Sequence, residues 1–195
     1  MGLAESGCLD PLKVTAMNYA AFLDRDGVIN VDHGYVSSPE EFEFLPGVPE
    51  ALGQLQAAGY LICIVSNQSG IGRGLYAETD LFALNQYIAG CLMDMAGVHV
   101  AAFYHCPHHP TEARGAFLKQ CECRKPSPGM ILQAISEHNI DPARSILVGD
   151  KASDIDAGRA AGVGRLFRVT NEGGVAISGE GVECVAGLRD VPSRL

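Results

Sequence analysis

Three short apolar runs in this chain each stop at a polar residue. Tyr19-Ala20-Ala21-Phe22-Leu23 ends at Asp24, Tyr60 to Val65 ends at Ser66, and Ser145 to Val148 ends at Gly149-Asp150. Runs this short and this uniformly apolar predict strands buried on both faces. Segments of helical spacing lie between them. Pro46 to Ala58 carries Val48, Leu52 and Leu55 on one side and stops at Gly59; Thr79 to Ala96 forms a second helix; Pro128 to His138 groups Ile131, Leu132 and Ile135. Val98 to Tyr104 and Arg165 to Val169 read as further strands and Ile155 to Ala161 as a short helix. This alternation predicts βαβ units, hence an α/β fold with one doubly wound parallel sheet and helices on both faces. Ligands of such sheets bind beyond the carboxyl ends of the strands, where Asp24, Ser66 and Asp150 would converge.

At 195 residues and 47% hydrophobic content the chain suits one domain. We expect it to occupy residues 18–195, after a disordered or loosely attached leader at 1–17, with an irregular loop insert at 105–123. The glycine-rich stretch from 171 onward is left unassigned. The leader has Glu5, Asp10 and Lys13 among scattered apolar positions and lacks the basic start and apolar run of a secretory signal. No later stretch has the length and apolarity of a membrane span, so a cytoplasmic location is expected. Met1-Gly2 with Ser6 fits a myristoylation pattern short enough to arise by chance. A net charge of -9 repels nucleic acid and anionic membranes, which leaves a small ligand as the expected partner; a monomer is the expected state. An anionic ligand would need local cations.

Asp24 and Asp26 sit two apart just past a strand, where a turn at Gly27 lets both carboxylates reach one small volume. Two like charges that close require a cation. With Asp150 as a third hard oxygen donor, the set Asp24, Asp26 and Asp150 suits Mg²⁺. Any one acid beside a glycine would read only as a turn; three at strand ends read as a site. Ser66-Asn67-Gln68-Ser69-Gly70 offers hydroxyls, amides and backbone N–H groups to phosphate oxygens. Lys125, alone a solvated surface residue, leads into a helix and would fix a cation against a transferring phosphoryl group. Gly70-Ile71-Gly72-Arg73-Gly74 lacks the dinucleotide spacing and follows the wrong strand.

Of seven cysteines, Cys8, Cys63, Cys91 and Cys184 are isolated, whereas Cys106, Cys121 and Cys123 gather around histidines. Without an export signal this favours metal over disulfides. Cys106, His108, Cys121 and Cys123 supply three thiolates and an imidazole, a set for structural zinc. His105 or His109 is an alternative to His108, which gives the more symmetric pattern. Cys123 immediately precedes Arg124 and Lys125, so zinc there would fix both cations.

Asp24-Arg25-Asp26-Gly27, Ser66, Lys125 and Gly149-Asp150 with Asp154 resemble the four ordered motifs of the haloacid dehalogenase superfamily. The resemblance implies a Rossmann-like sheet and an aspartyl-phosphate mechanism. Asp24 is then the nucleophile and Asp26 the general acid and later base. Ser66 and Lys125 hold phosphoryl oxygens, Asp150 completes the Mg²⁺ site, and Asp154 stands behind it. Members that dehalogenate lack the second aspartate, so Asp26 favours phosphotransfer. From about Ala20 to Val169 the chain is similar to the D-glycero-D-manno-heptose 1,7-bisphosphate phosphatases. The similarity is carried by Asp24 to Tyr35, Ser66 to Gly70, Cys106 to Pro110, Cys121 to Pro128 and Gly149-Asp150-Lys151.

That similarity implies sugar contacts from Asp32, His33, Gly34 and Tyr35 and recognition by Arg124. Asn67, Gln68, Ser69, Lys125 and Lys151 complete the expected binding set, and loss of the 7-phosphate would feed lipopolysaccharide heptose synthesis. Val28 and Ser66 stand where threonine is commoner, which loosens the tie to one substrate without touching catalysis. Histidinol-phosphate phosphatases share the pattern and are the nearest alternative. A silent zinc-stabilised phosphate-binding module is a second, disfavoured because a binder needs no nucleophile with a general acid. The short segment from Tyr35 to Pro46 leaves only a minimal cap, hence an open site for a small anionic sugar phosphate.

Overall fold

The structure, a computed structural model, describes residues 17–170 and 181–195. The expected leader, apart from Met17, and the stretch 171–180 lie outside the described residues. Six strands, β1 (Ala20–Leu23), β2 (Leu61–Asn67), β3 (Val100–Cys106), β4 (Ile146–Gly149), β5 (Arg165–Val169) and β6 (Val182–Val185), form one sheet in the order β3-β2-β1-β4-β5-β6. Every pairing is parallel. The α-helices among the described residues are α1 (Val48–Ala57), α2 (Ser69–Arg73), α3 (Glu78–Ala96), α4 (Gly129–His138) and α5 (Ala152–Ala160).

The strand sequences are apolar on both faces because each face meets a separate core. Ala21 and Leu23 of β1, Ile62 and Ile64 of β2, Ile146 and Val148 of β4 and Phe167 of β5 pack with α1 and α3 residues such as Leu52, Leu55, Leu84 and Ile88. The alternate positions Ala20, Phe22, Cys63, Val65, Leu147 and Leu166 pack with Met130, Ile131 and Ala134 of α4 and Ile155 and Ala157 of α5. A fully buried Phe22 contributes roughly 1.5–3 kcal/mol by leaving water. Leu132 differs from expectation: it is 46% exposed, and Met130 and Ala134 complete the buried face of α4 instead.

Two elements, α2 and β6, and the start of α5 were not anticipated. α5 starts at Ala152 rather than Ile155, because Asp154 accepts from the Lys151 N–H at 2.9 Å and caps a polar first turn. α2 is a five-residue helix rich in glycine, which no apolar periodicity announces. β6 pairs along the exposed side of β5 and is only partly buried, so its pattern is weak. The chain winds outward from β1 in both directions, so β1 and β4 flank the point where strand order reverses, and Leu23 registers with Val148. The residues following those two strands therefore share the crevice such sheets offer to ligands.

Candidate active site

Asp24 follows β1, and the next turn closes through the Gly27 N–H donating to the Asn30 carbonyl at 2.8 Å. Gly27 has φ +85°, and a side chain there would also collide with the Asp150 carboxylate. Glycine is thus required twice, for conformation and for space. Lys125 reaches in from the segment before α4 and is 3% exposed. Its Nζ lies 2.8 Å from Asp24 Oδ1, 2.7 Å from Asp154 Oδ1 and donates at 2.8 Å to the Val65 carbonyl. Burial alone would lower the Lys125 ammonium pKa, but the facing Asp24 and Asp154 carboxylates reverse this and hold it above its ordinary value. Burial pushes the Asp24 carboxyl up to about 7, with Lys125 opposing and Asp154 adding to the shift.

Asp24, Asp150 and Asp154 bring one oxygen each within 4.8 Å of one another. Burial raises the Asp150 carboxyl, and its Oδ1 is buried with no hydrogen-bond partner. An orphaned carboxylate oxygen facing two further carboxylates fits a hard divalent cation with oxygen ligands. The structure differs here from the expected trio. The Asp26 carboxylate turns away to accept from Arg25, with the closest contacts at 3.0 Å, from Asn30 Nδ2 at 3.1 Å and from Gln68 Nε2 at 3.0 Å. Asp154, expected behind the site, supplies the third clustered carboxylate. The physical reason is the guanidinium of Arg25, only 1% exposed, which neutralises Asp26 and anchors on the Val36 carbonyl.

Above this floor lies a cleft of about 510 Å³ lined by Asp26, Asp32, Gly34, Tyr35, Asn67, Gln68, Ser69, Tyr76, Arg124, Lys125, Pro126, Lys151 and Ser153. Lys151 stands 3.6 Å from Asp32. Ser66 is buried beneath, its hydroxyl accepting from Gln68 Nε2 at 2.6 Å. Asn67 clamps the Lys125 backbone, donating to its carbonyl and accepting from its N–H, each at 3.0 Å. His33 is not brought into the cleft: it is exposed and lines an adjoining groove with Glu40, Glu41 and Glu43.

Beside the cleft, Cys106, His108, Cys121 and Cys123 also gather within 4.8 Å. Cys106 Sγ lies 3.0 Å from Cys123 Sγ and 3.5 Å from Cys121 Sγ, and His108 Nδ1 lies 3.3 Å from Cys123 Sγ. Three sulfurs and a ring nitrogen fit a soft or borderline metal. His105 and His109 fall outside the group. His105 pairs with Glu78 at 2.8 Å, and His109 Nδ1 accepts from the Glu112 N–H at 3.1 Å. Arg124 Nη1 donates at 3.1 Å to the His108 carbonyl, which ties the cluster to the cleft.

Residues 122–171 match the family model of HAD-hydrolase-like proteins. A D-glycero-beta-D-manno-heptose-1,7-bisphosphate 7-phosphatase of Vibrio cholerae is 47% identical over 178 residues, covering 90% of this chain and 95% of that protein. Its Pasteurella multocida counterpart is 51% identical over 145 residues, 74% of this chain and 78% of the relative. The chain belongs to the heptose-bisphosphate phosphatase family. Among solved structures, the D,D-heptose 1,7-bisphosphate phosphatase of B. bronchiseptica complexed with magnesium and phosphate superimposes with a TM-score of 0.77 at 32% identity, covering 90% of this chain and 97% of that one.

Val28, expected to bear on the choice of substrate, is fully buried in the core rather than in the cleft. Its replacement therefore bears on packing alone. Sequence reasoning did not single out Tyr76, Ser153 or Pro126 as lining residues. Tyr76 follows α2, which had no readable periodicity, while Ser153 lies in the first turn of α5, whose start was placed too late.

Proposed function

We propose that this chain is a Mg²⁺-dependent phosphatase that removes the 7-phosphate of D-glycero-D-manno-heptose 1,7-bisphosphate, as a cytoplasmic monomer serving lipopolysaccharide heptose synthesis. The observation that carries this is the buried Asp24–Lys125–Asp154 arrangement under a cleft whose rim bears Asp32, Tyr35, Arg124 and Lys151. It is supported by relatives so named along nearly the whole chain. A monomer suffices because every group invoked comes from one chain.

An Asp24 oxygen attacks phosphorus as the bond from phosphorus to the sugar oxygen breaks, and Asp26 gives its proton to that departing oxygen. Asp26 then takes a proton from the water that hydrolyses the aspartyl-phosphate, so one hard displacement becomes two easier ones. Lys125 and Ser66 hold the equatorial phosphoryl oxygens. Asp24, Asp150 and Asp154 would hold Mg²⁺, which when bound would supply positive charge against those oxygens. Arg124 and Lys151 meet the remaining anionic end of the substrate; Cys106, His108, Cys121 and Cys123 would hold Zn²⁺, which would fix the His108 carbonyl that Arg124 bonds.

The test is phosphate release from the heptose bisphosphate, as each anomer, against histidinol phosphate, with and without Mg²⁺. We expect one phosphate released per heptose bisphosphate, only with Mg²⁺. Much faster hydrolysis of histidinol phosphate would replace the substrate and leave the chemistry standing.

A further inference from the structure

Gln68 was expected to touch substrate, yet its amide is engaged within the protein. Nε2 donates to Asp26 Oδ2 at 3.0 Å and to Ser66 Oγ at 2.6 Å, and Oε1 accepts from the Tyr76 hydroxyl at 2.5 Å. The other partners of the Asp26 carboxylate, Arg25 and Asn30, come from its own turn. Gln68 comes from a separate loop, 42 positions away, and so ties the Asp26 carboxylate to Ser66 across the floor of the cleft.

An amide serves that purpose in one orientation only, since a reversed Gln68 would set its oxygen against the Asp26 carboxylate. Tyr76 completes that arrangement by meeting Oε1. Burial pushes its phenol up to about 12, so the hydroxyl keeps its proton and donates it to Oε1. The loop is shaped to admit the ring: a side chain at Gly70 would strike Tyr76 and Tyr35.

We propose that Tyr76 is a positioning residue for phosphoryl transfer, acting through Gln68 to aim the Asp26 carboxyl at the leaving oxygen. This rests on the phosphatase reading above. In the step concerned, the bond from Asp24 oxygen to phosphorus forms, the bond to the leaving oxygen breaks, and the Asp26 proton passes to that oxygen. A sugar alkoxide needs the proton; p-nitrophenolate leaves without it.

The test compares kcat/KM of wild type and Tyr76→Phe, with Mg²⁺, on the heptose bisphosphate and on p-nitrophenyl phosphate. The ratio kcat/KM reports the first irreversible step, in which the leaving group departs. We expect a loss of roughly tenfold on the sugar phosphate and under about twofold on the aryl phosphate, because general-acid assistance matters only to the poor leaving group. In a Gln68→Leu background, the same substitution should add no further loss. Equal losses on both substrates, or none on either, would overturn the proposal; so would a further loss in the Gln68→Leu background. A wild type inactive on both would remove the phosphatase reading itself. Phenylalanine keeps the ring over Gly70, and an unchanged thermal midpoint for Tyr76→Phe is the accompanying expectation.

Discussion

The carboxylate centre and the cysteine–histidine cluster are neighbours, yet they are assembled in opposite ways. Asp24 and Lys125 are 101 positions apart, and Asp150 and Asp154 arrive on a third segment. The sheet brings them together, and Lys125 already balances two of the carboxylates at 2.7–2.8 Å. The cluster's four donors come from the short span between Cys106 and Cys123, at the two ends of a loop of about 15 residues, and its sulfurs stand 3.0 to 3.5 Å from one another. The first site is therefore organised by the fold and should outlast loss of its metal. The second organises a loop and should not.

The largest expected effect separates chemistry from architecture. Asp24→Asn should reduce turnover by roughly 10⁴-fold or more, as loss of a nucleophile does, while the circular dichroism spectrum and bound zinc stay unchanged. Persistent Mg²⁺-dependent phosphate release would end the aspartyl-phosphate mechanism. Next comes Lys125→Met, which strands Asp24 and Asp154 as buried neighbours of like charge. We expect a loss of about 3–5 kcal/mol in a metal-free urea titration, the usual cost of removing one partner from a buried ion pair. Added Mg²⁺ should restore part of it, because it binds only the folded state. An unchanged midpoint would show that the centre is not held by its own charges.

The same contrast explains what was legible in the sequence. Buried parallel strands are announced by apolar runs, and Asp24, Ser66 and Asp150 were found because each run stops at a polar residue. The clustered cysteines stood out because Cys106, Cys121 and Cys123 lie in polar surroundings, unlike Cys63. Direction within the site was not legible. Whether Asp26 faces the cluster or Arg25 depends on which donors the turn places around it, and spacing carries no such information. Asn67 and Gln68, expected to meet substrate, line the cleft, and their amides bond Lys125 and Asp26. β6 escaped because an edge strand buries too little to impose a pattern.

Smaller effects probe the link between the two sites. Cys121→Ser should abolish stoichiometric zinc and open the loop from 107 to 120 to hydrogen exchange, while the sheet amides stay protected. The kcat/KM should fall about tenfold, or roughly 1.4 kcal/mol, carried by KM, since Arg124 sits beside Cys123 and not on the nucleophile. Loss of sheet protection in this variant would mean that the cluster holds the fold rather than the loop.

The finest test concerns the contact from Arg124 Nη1 to the His108 carbonyl at 3.1 Å. Arg124→Lys keeps the charge but loses the fixed fork that lets a guanidinium bond the carbonyl and still face the cleft. A hydrogen bond of this kind is worth about 1 kcal/mol, so KM should rise roughly fivefold in the zinc-bound protein with kcat unchanged. In the Cys121→Ser background the His108 carbonyl is no longer held in place, and the same substitution should cost little. That difference is the coupling energy between cluster and cleft. Equal costs in both backgrounds would mean that Arg124 serves substrate directly and that the cluster braces only its own loop.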